Sequence, residues 1–183
     1  MNSLKGHVLV ASPYLVDPNF VQTIVLMIHH TEEGAFGLVV NRRLEKSVSE
    51  LWQEVSDTPC ERHDLLHIGG PVAGPLMALH DNAAYSELEV IPGVYFSAQR
   101  EHLEQLVAED RGNCLLFLGH SGWAGGQLEA ELATGSWLVA PADPDLVFDE
   151  SADVWRRVTY QIGREELADI LKPRIRPKDP TLN

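Results

Sequence analysis

A serine beside a histidine, set among glycines, is the most chemically suggestive feature of this 183-residue chain. Gly119-His120-Ser121-Gly122 follows the apolar run Cys114-Leu115-Leu116-Phe117-Leu118 and precedes a helical pattern, Leu128-Glu129-Ala130-Glu131-Leu132-Ala133, closed by Gly135. A serine on a sharp strand-to-helix turn, with a histidine to take its proton, is the arrangement of nucleophilic acyl transfer. The match stops at Trp123, where the nucleophile elbow needs glycine. His120 is moreover the last of eight histidines, so no base follows the serine as the chain order of α/β-hydrolases requires. The stretch is instead read as a strand-turn-helix corner. Its glycines permit positive φ and close backbone approach, and Trp123 either plugs the space they leave or forms one wall of a pocket.

Other residues extend the possible chemistry. Arg42 offers a fork of donors for a carboxylate or phosphate, and Asn41 beside it offers an amide. Asn41, Arg42, His120, Ser121 and Trp123 together form the candidate ligand-binding groove, against the plainer reading of Asn41-Arg42 as an ordinary turn. Cys60, His63 and His67 have zinc-ligand spacing, with Cys114 or His80 as a fourth ligand, but they are spread over a polar loop and a strand, and no metal is expected. His29 and His30 end a strand and therefore point to opposite faces, which separates them as partners for one metal. Gly69-Gly70-Pro71-Val72-Ala73-Gly74-Pro75 has the glycine content of an anion cradle, although its prolines remove two amide donors.

The elements that would position these residues are legible from periodicity. Strands are expected over Gly6–Ala11, Gln22–His30 and Ala35–Val40, the last two close enough for a hairpin, with Gly37 marking a bulge or a close approach. The nearly unbroken apolar run of the second implies burial on both faces. Ser47-Val48-Ser49-Glu50 is a capping box, and Val48, Leu51, Trp52 and Val55 follow at the spacing of one buried helical face. A polar surface loop, 56–64, separates that helix from strands at Leu65–Ile68 and Leu76–His80. Val90–Phe96 reads as one strand with an internal proline, after which Ser97 caps a helix striped by Leu103, Leu106 and Val107. Ser136–Ala140 is a strand, and Val154, Trp155 and Val158 share one side of a helix, with a further helical piece at Glu165–Leu171. The tail, 172–183, is proline-rich and basic and is expected to be solvated and mobile.

Charge bounds the partners. With 27 acidic against 14 basic residues the chain carries −13 at pH 7, which repels a phosphate backbone, so direct nucleic-acid binding is not expected. Two cysteines are too few for a disulfide framework. No apolar run is long enough to span a bilayer, and no secretory signal opens the chain. A cytoplasmic location with no membrane association is expected.

The chain is similar to members of the AlgH-like family of bacterial proteins. The resemblance rests on Gly6–Pro13 with Asp17-Pro18-Asn19-Phe20, Gly34–Arg42, Gly69-Gly70-Pro71-Val72, Pro92-Gly93-Val94-Tyr95-Phe96, and above all Gly119–Glu131 with Trp137-Leu138. Arg43 departs from the proline usual after Asn-Arg, and His120-Ser121 from the family's aromatic and alanine. The resemblance implies an α+β fold, with a strongly bent, barrel-like, mostly antiparallel sheet flanked by helices, as a single domain over 1–171. The family's namesake is described as a regulator of alginate synthesis at the level of transcription, and the resemblance supplies no accepted active site. The expected function is a non-catalytic regulatory protein that binds a protein partner or a small-molecule ligand without a cofactor, affecting transcription indirectly. The alternative is an enzyme acting on a small anionic metabolite near the 119–126 turn.

Overall fold

A computed structural model describes residues 2–60, 62–109 and 111–171, with side chains to residue 168. The expected tail, 172–183, lies outside the described residues. Eleven strands are found among them: β1 (His7–Ala11), β2 (Ile24–Thr31), β3 (Gly34–Val39), β4 (Arg43–Ser47), β5 (Leu65–Ile68), β6 (Met77–His80), β7 (Leu88–Ile91), β8 (Val94–Ser97), β9 (Cys114–Leu118), β10 (Ser121–Ala124) and β11 (Trp137–Pro141). The helices are α1 (Val48–Val55), α2 (Arg100–Glu109), α3 (Gln127–Ala133), α4 (Pro144–Val147) and α5 (Val154–Leu171).

These strands make two open sheets rather than one bent barrel. The first has the order β10-β3-β2-β1-β11 and the second β4-β5-β9-β6-β8-β7. All pairings are antiparallel except β5 with β9. Both faces of each sheet are covered by apolar packing. One cluster gathers Val8, Val10, Ile24, Leu26, Leu38, Leu79 and Phe117 from both sheets, together with Val147, Val154, Val158 and Ile162 from α4 and α5. Alternate residues, Leu9, Val25 and Val39, pack on the other face of the first sheet with Trp123, Leu128 and Trp137. On the second sheet Leu66, Ala78 and Leu116 pack against Val48 and Trp52 of α1 and Leu103, Leu106 and Val107 of α2. The continuous apolar run of β2 is therefore buried on both faces, as its composition implies.

Two connections cross between the sheets: Val40-Asn41-Arg42 from β3 to β4, and Gly119-His120 from β9 to β10. The second crossing passes against Gly69-Gly70. A Cβ on Gly69 would lie 2.4 Å from the Gly119 carbonyl oxygen, and one on Gly70, at φ +153°, 2.3 Å from the His120 carbonyl carbon. The glycines of both stretches serve this backbone crossing. The Gly69 and Val72 amides donate to Leu118 and His120 carbonyls, so neither is spare for an anion.

Several local expectations need correction. Ser121–Ala124 is a strand paired with β3, so Trp123 sits in a sheet and not in a turn. Pro92-Gly93 turns a hairpin between β7 and β8, with Gly93 at φ +83°, because proline ends the first strand and glycine supplies the left-handed position. The polar loop 56–64 contains a buried arginine: Arg62 donates to the Leu106 and Arg111 carbonyls and pairs with Asp64. Ser97 turns inward instead of capping α2, and Glu87 Oε1 accepts from the amides of Ala98 and Gln99, just ahead of that helix, at 2.9 and 2.7 Å. The two C-terminal helical pieces form one helix, α5. The capping box at Ser47 is present with both of its hydrogen bonds, and the retained bonds to Ser47 hold the Glu50 carboxyl below its ordinary range.

Candidate functional site

Asn41 and Arg42 direct their polar atoms at one segment, the loop 12–23 between β1 and β2. Arg42 Nη1 donates to the Asn19 carbonyl at 2.6 Å and the Pro18 carbonyl at 3.4 Å, and Nη2 donates to the Val21 carbonyl at 3.1 Å. Asn41 Nδ2 donates to the Gln22 carbonyl at 2.9 Å, and its Oδ1 accepts from the Ile24 amide at 2.7 Å. The clamp holds Gln22 at φ +56°, the one non-glycine residue with positive φ among the described residues. Guanidinium suits this task because its fixed fork reaches several carbonyls at once.

Trp123 meets the same loop from below. Its ring stacks on Phe20 at 6.1 Å between centroids, and Phe20 packs edge-on against Trp137 at 5.3 Å. The two indole N–H groups converge on Glu131, donating to Oε2 at 2.9 and 2.8 Å, while Gln127 donates to Oε1 at 3.0 Å. Glu131 was visible in the sequence only as the end of a motif. Its task, satisfying two buried indoles with one carboxylate oxygen, depends on α3 lying across the strands that carry both tryptophans.

His120 and Ser121 are placed elsewhere. Ser121 is fully buried and donates to the Gly69 carbonyl at 3.0 Å, bracing the sheet crossing. The His120 ring lies 5.1 Å from Phe36, and its Nδ1 is buried without a hydrogen-bond partner. The structure thus brings Asn41, Arg42 and Trp123 together through the loop they hold, and leaves His120 and Ser121 at the crossing. Asn41 also lines a cavity of about 220 Å³ with Arg43, Asp149 and Glu150. Arg43 donates there to the Glu150 carbonyl and lies 3.6 Å from its carboxylate, so its charge is already matched.

The loop presents what its clamp does not need. Leu15 and Phe20 turn inward onto the core beneath. Tyr14 is 91% and Val16 88% exposed, with Val21 partly so. Neither tyrosine nor valine stood out in the sequence, because an exposed apolar side chain carries no pattern until the surface is known.

Hydrogen-bonding chemistry in the interior is closed to substrate. His80 Nε2 lies 3.0 Å from Ser97 Oγ, a histidine–serine pair, but both side chains are fully buried. Ser97 Oγ donates onward to the Tyr85 carbonyl, so it accepts from the histidine and retains its proton. Burial lowers the His80 pKa from its ordinary value and pushes that of His67 down to about 4. The same desolvation drives the Cys114 thiol up to about 12, which removes its nucleophilic form at neutral pH. No group of three or more metal-ligating side chains is found among the described residues. His29 and His30 do separate: His29 is exposed, whereas buried His30 accepts from the Leu4 amide at Nδ1 and meets Glu129 from Nε2 at 2.9 Å.

Fold and site together define a class: an α+β protein of two packed sheets with helices against them, a buried histidine–serine pair and an apolar loop held out. The sequence profile described as AlgH-like (DUF179) matches residues 8–166, and the chain belongs to that family. It is 39% identical over 168 residues to a UPF0301 protein of Xanthomonas campestris pv. campestris, covering 87% of this chain and 89% of that protein. It is 37% identical over 167 residues to a UPF0301 protein of Chlorobaculum tepidum, covering 87% of each. The solution structure of the AlgH protein from Pseudomonas aeruginosa superposes with a TM-score of 0.72 at 34% identity, covering 96% of this chain and 97% of that one. A crystal structure of a protein from Corynebacterium diphtheriae gives 0.69 at 28% identity, covering 88% of each chain. No described helix is long and apolar enough to cross a membrane.

Proposed function

We propose that this chain is a non-catalytic regulatory protein that acts by docking a protein partner on loop 12–23, with any effect on transcription passing through that partner. The observation that carries the reading is the clamp. Four hydrogen bonds donated by Asn41 and Arg42 hold a loop whose outward side chains, Tyr14 and Val16, touch almost nothing of their own chain. A braced loop loses little conformational freedom on binding, and a tyrosine tip is among the residue types that dominate protein interfaces. Net charge of −13 favours a partner with a basic rim around the pocket that takes these side chains. The competing reading, an enzyme acting on a small anionic metabolite near the 119–126 turn, needs Asn41, Arg42, His120, Ser121 and Trp123 in one groove. It has less support, because the Arg42 guanidinium is engaged by carbonyls of loop 12–23 and Ser121 is buried against the Gly69 carbonyl.

A photo-crosslinking residue at position 14, compared with one at exposed Leu65, tests the docking in cells. A single protein joined from position 14 alone, whose purified form loses at least about tenfold in affinity for Tyr14→Ala/Val16→Ser, is the expected result. A partner bound equally by that variant, or one joined equally from position 65, would sink the assignment.

A further inference from the structure

We propose that His30 is a pH-sensitive latch whose neutral ring holds residues 3–5 against the first sheet and whose protonated ring releases them. Two groups of opposite demand meet on this side chain. The Leu4 amide donates to Nδ1 at 3.0 Å, and the Glu129 carboxylate stands 2.9 Å from Nε2. A backbone amide only donates and a carboxylate only accepts, so Nδ1 carries the lone pair and Nε2 the proton. The side chain is 2% exposed, and with both nitrogens used in this way the ring is neutral.

A second proton has only Nδ1 to go to. There it sets one N–H against another, and the bond from Leu4 is lost. The contact on the other nitrogen gains, because imidazolium against carboxylate is an ion pair as well as a hydrogen bond. The Glu129 carboxyl is held below its ordinary range, first by its own backbone amide and then by the His30 ring, so it stays ionised while the ring titrates. Protonation thus ties the ring to α3, and the N-terminal segment is the side that yields. The other charged groups on the surrounding elements do not reverse this. Glu131 of α3 is taken by two indoles and Gln127, while Lys5, Glu32 and Glu33 are exposed. His7 turns its Nδ1 to the Lys5 carbonyl, and the residue facing His30 across the β2–β3 ladder is Ala35.

Among the described residues the segment has few other ties. Ser3 Oγ donates to the His30 carbonyl at 3.0 Å, and the Leu4 carbonyl accepts from the His7 amide in a local turn. The next bond to the sheet runs from the Gly6 amide to the Met27 carbonyl at 2.9 Å, so opening stops at Gly6, whose φ is +76°. Leu4 packs half-buried on the cluster that contains Leu9, Val25, Trp123 and Trp137. Its departure uncovers apolar surface on that face and leaves β1 in place. Because the closed form takes no second proton and the open form does, protons favour opening by up to about tenfold per pH unit below the titration of the open ring.

Nuclear magnetic resonance of the isotope-labelled full chain tests the latch. At about pH 7.5 the His30 ring should be the Nε2–H tautomer, with Nδ1 unprotonated. Between there and about pH 5 the protection of the Leu4 amide, its exchange measured against an unstructured chain at the same pH, should fall by up to about tenfold per unit. In His30→Asn the Oδ1 atom takes the acceptor position of Nδ1 and never titrates, so Leu4 protection should no longer change over that range. The Leu9 amide reports the whole fold and should keep its pH response in that variant. Glu129→Gln leaves an acceptor for Nε2–H but removes the counter-ion of the cation, so opening should begin at a lower pH. An Nδ1–H tautomer, a wild-type Leu4 amide as indifferent to pH as that of His30→Asn, or an onset that Glu129→Gln leaves in place would each overturn the proposal. Should His30→Asn fail to fold, the tautomer and the Glu129→Gln onset still decide it.

Discussion

Lowering the pH through the mild acid range should remove stability from this fold chiefly at His67. The ring is 2% exposed, 5.5 Å from Phe117 between centroids, and opposite Arg43 in the β4–β5 ladder. Burial first and the Arg43 charge second push its pKa from 6.5 down to about 4. Between those values the unfolded chain binds a proton that the folded chain refuses. Stability is therefore complete above pH 6.5 and is lost as the pH falls toward 4. A gap of about 2.5 units sets a ceiling of about 3.4 kcal/mol, of which about 2 kcal/mol is gone by about pH 5. Urea unfolding at about pH 7.5 and about pH 5, for wild type and His67→Leu, measures this directly. The substitution lowers stability at both values, but only the difference between them matters. That difference should shrink by about 2 kcal/mol in the variant, while the contribution of buried His80 stays in both proteins. An unchanged pH dependence in His67→Leu would show that the ring ionises inside the fold at little cost, and the argument from burial would be wrong.

Three further outcomes follow from the same geometry. Arg42→Ala should release loop 12–23, seen as faster amide exchange at 14–22 and a stability loss of about 1–3 kcal/mol, with Arg42→Lys recovering only part because an ammonium lacks the fork. Glu131→Ala leaves two buried indole N–H groups unpaired and should cost about 2–4 kcal/mol in chemical unfolding, with a shift in tryptophan emission. Gly70→Ala places a Cβ against the His120 backbone at a left-handed φ. Since backbone on both sides of that contact is fixed by the crossing, soluble yield and melting temperature should collapse, and a variant that melts like wild type would refute the crossing as described.

Much of the secondary structure was legible because its causes are local. The Ser47 capping box, the hairpin of β2 and β3 and the apolar stripe of α2 each depend on residues a few positions apart. Where local signals misled, a distant group had taken over. Ser97 has the chemistry of a cap, yet its hydroxyl turns to His80, and the amides just ahead of α2 meet Glu87 from the segment before β7. Arg43–Ser47 has no apolar alternation and becomes strand β4 only because β5 lies beside it.

The candidate site shows the same division. By its own residues the sequence determined that Asn41, Arg42 and Trp123 are an amide, a fork of donors and a large ring beside glycines, and that no base follows Ser121 in the chain. What those groups hold was decided by the tertiary structure, because their partners are the Pro18, Asn19, Val21 and Gln22 carbonyls and the Phe20 ring, up to about a hundred residues away in the chain. A donor's chemistry is intrinsic to its residue type. Which acceptor it meets depends on how two sheets cross, and that is a property of the whole chain.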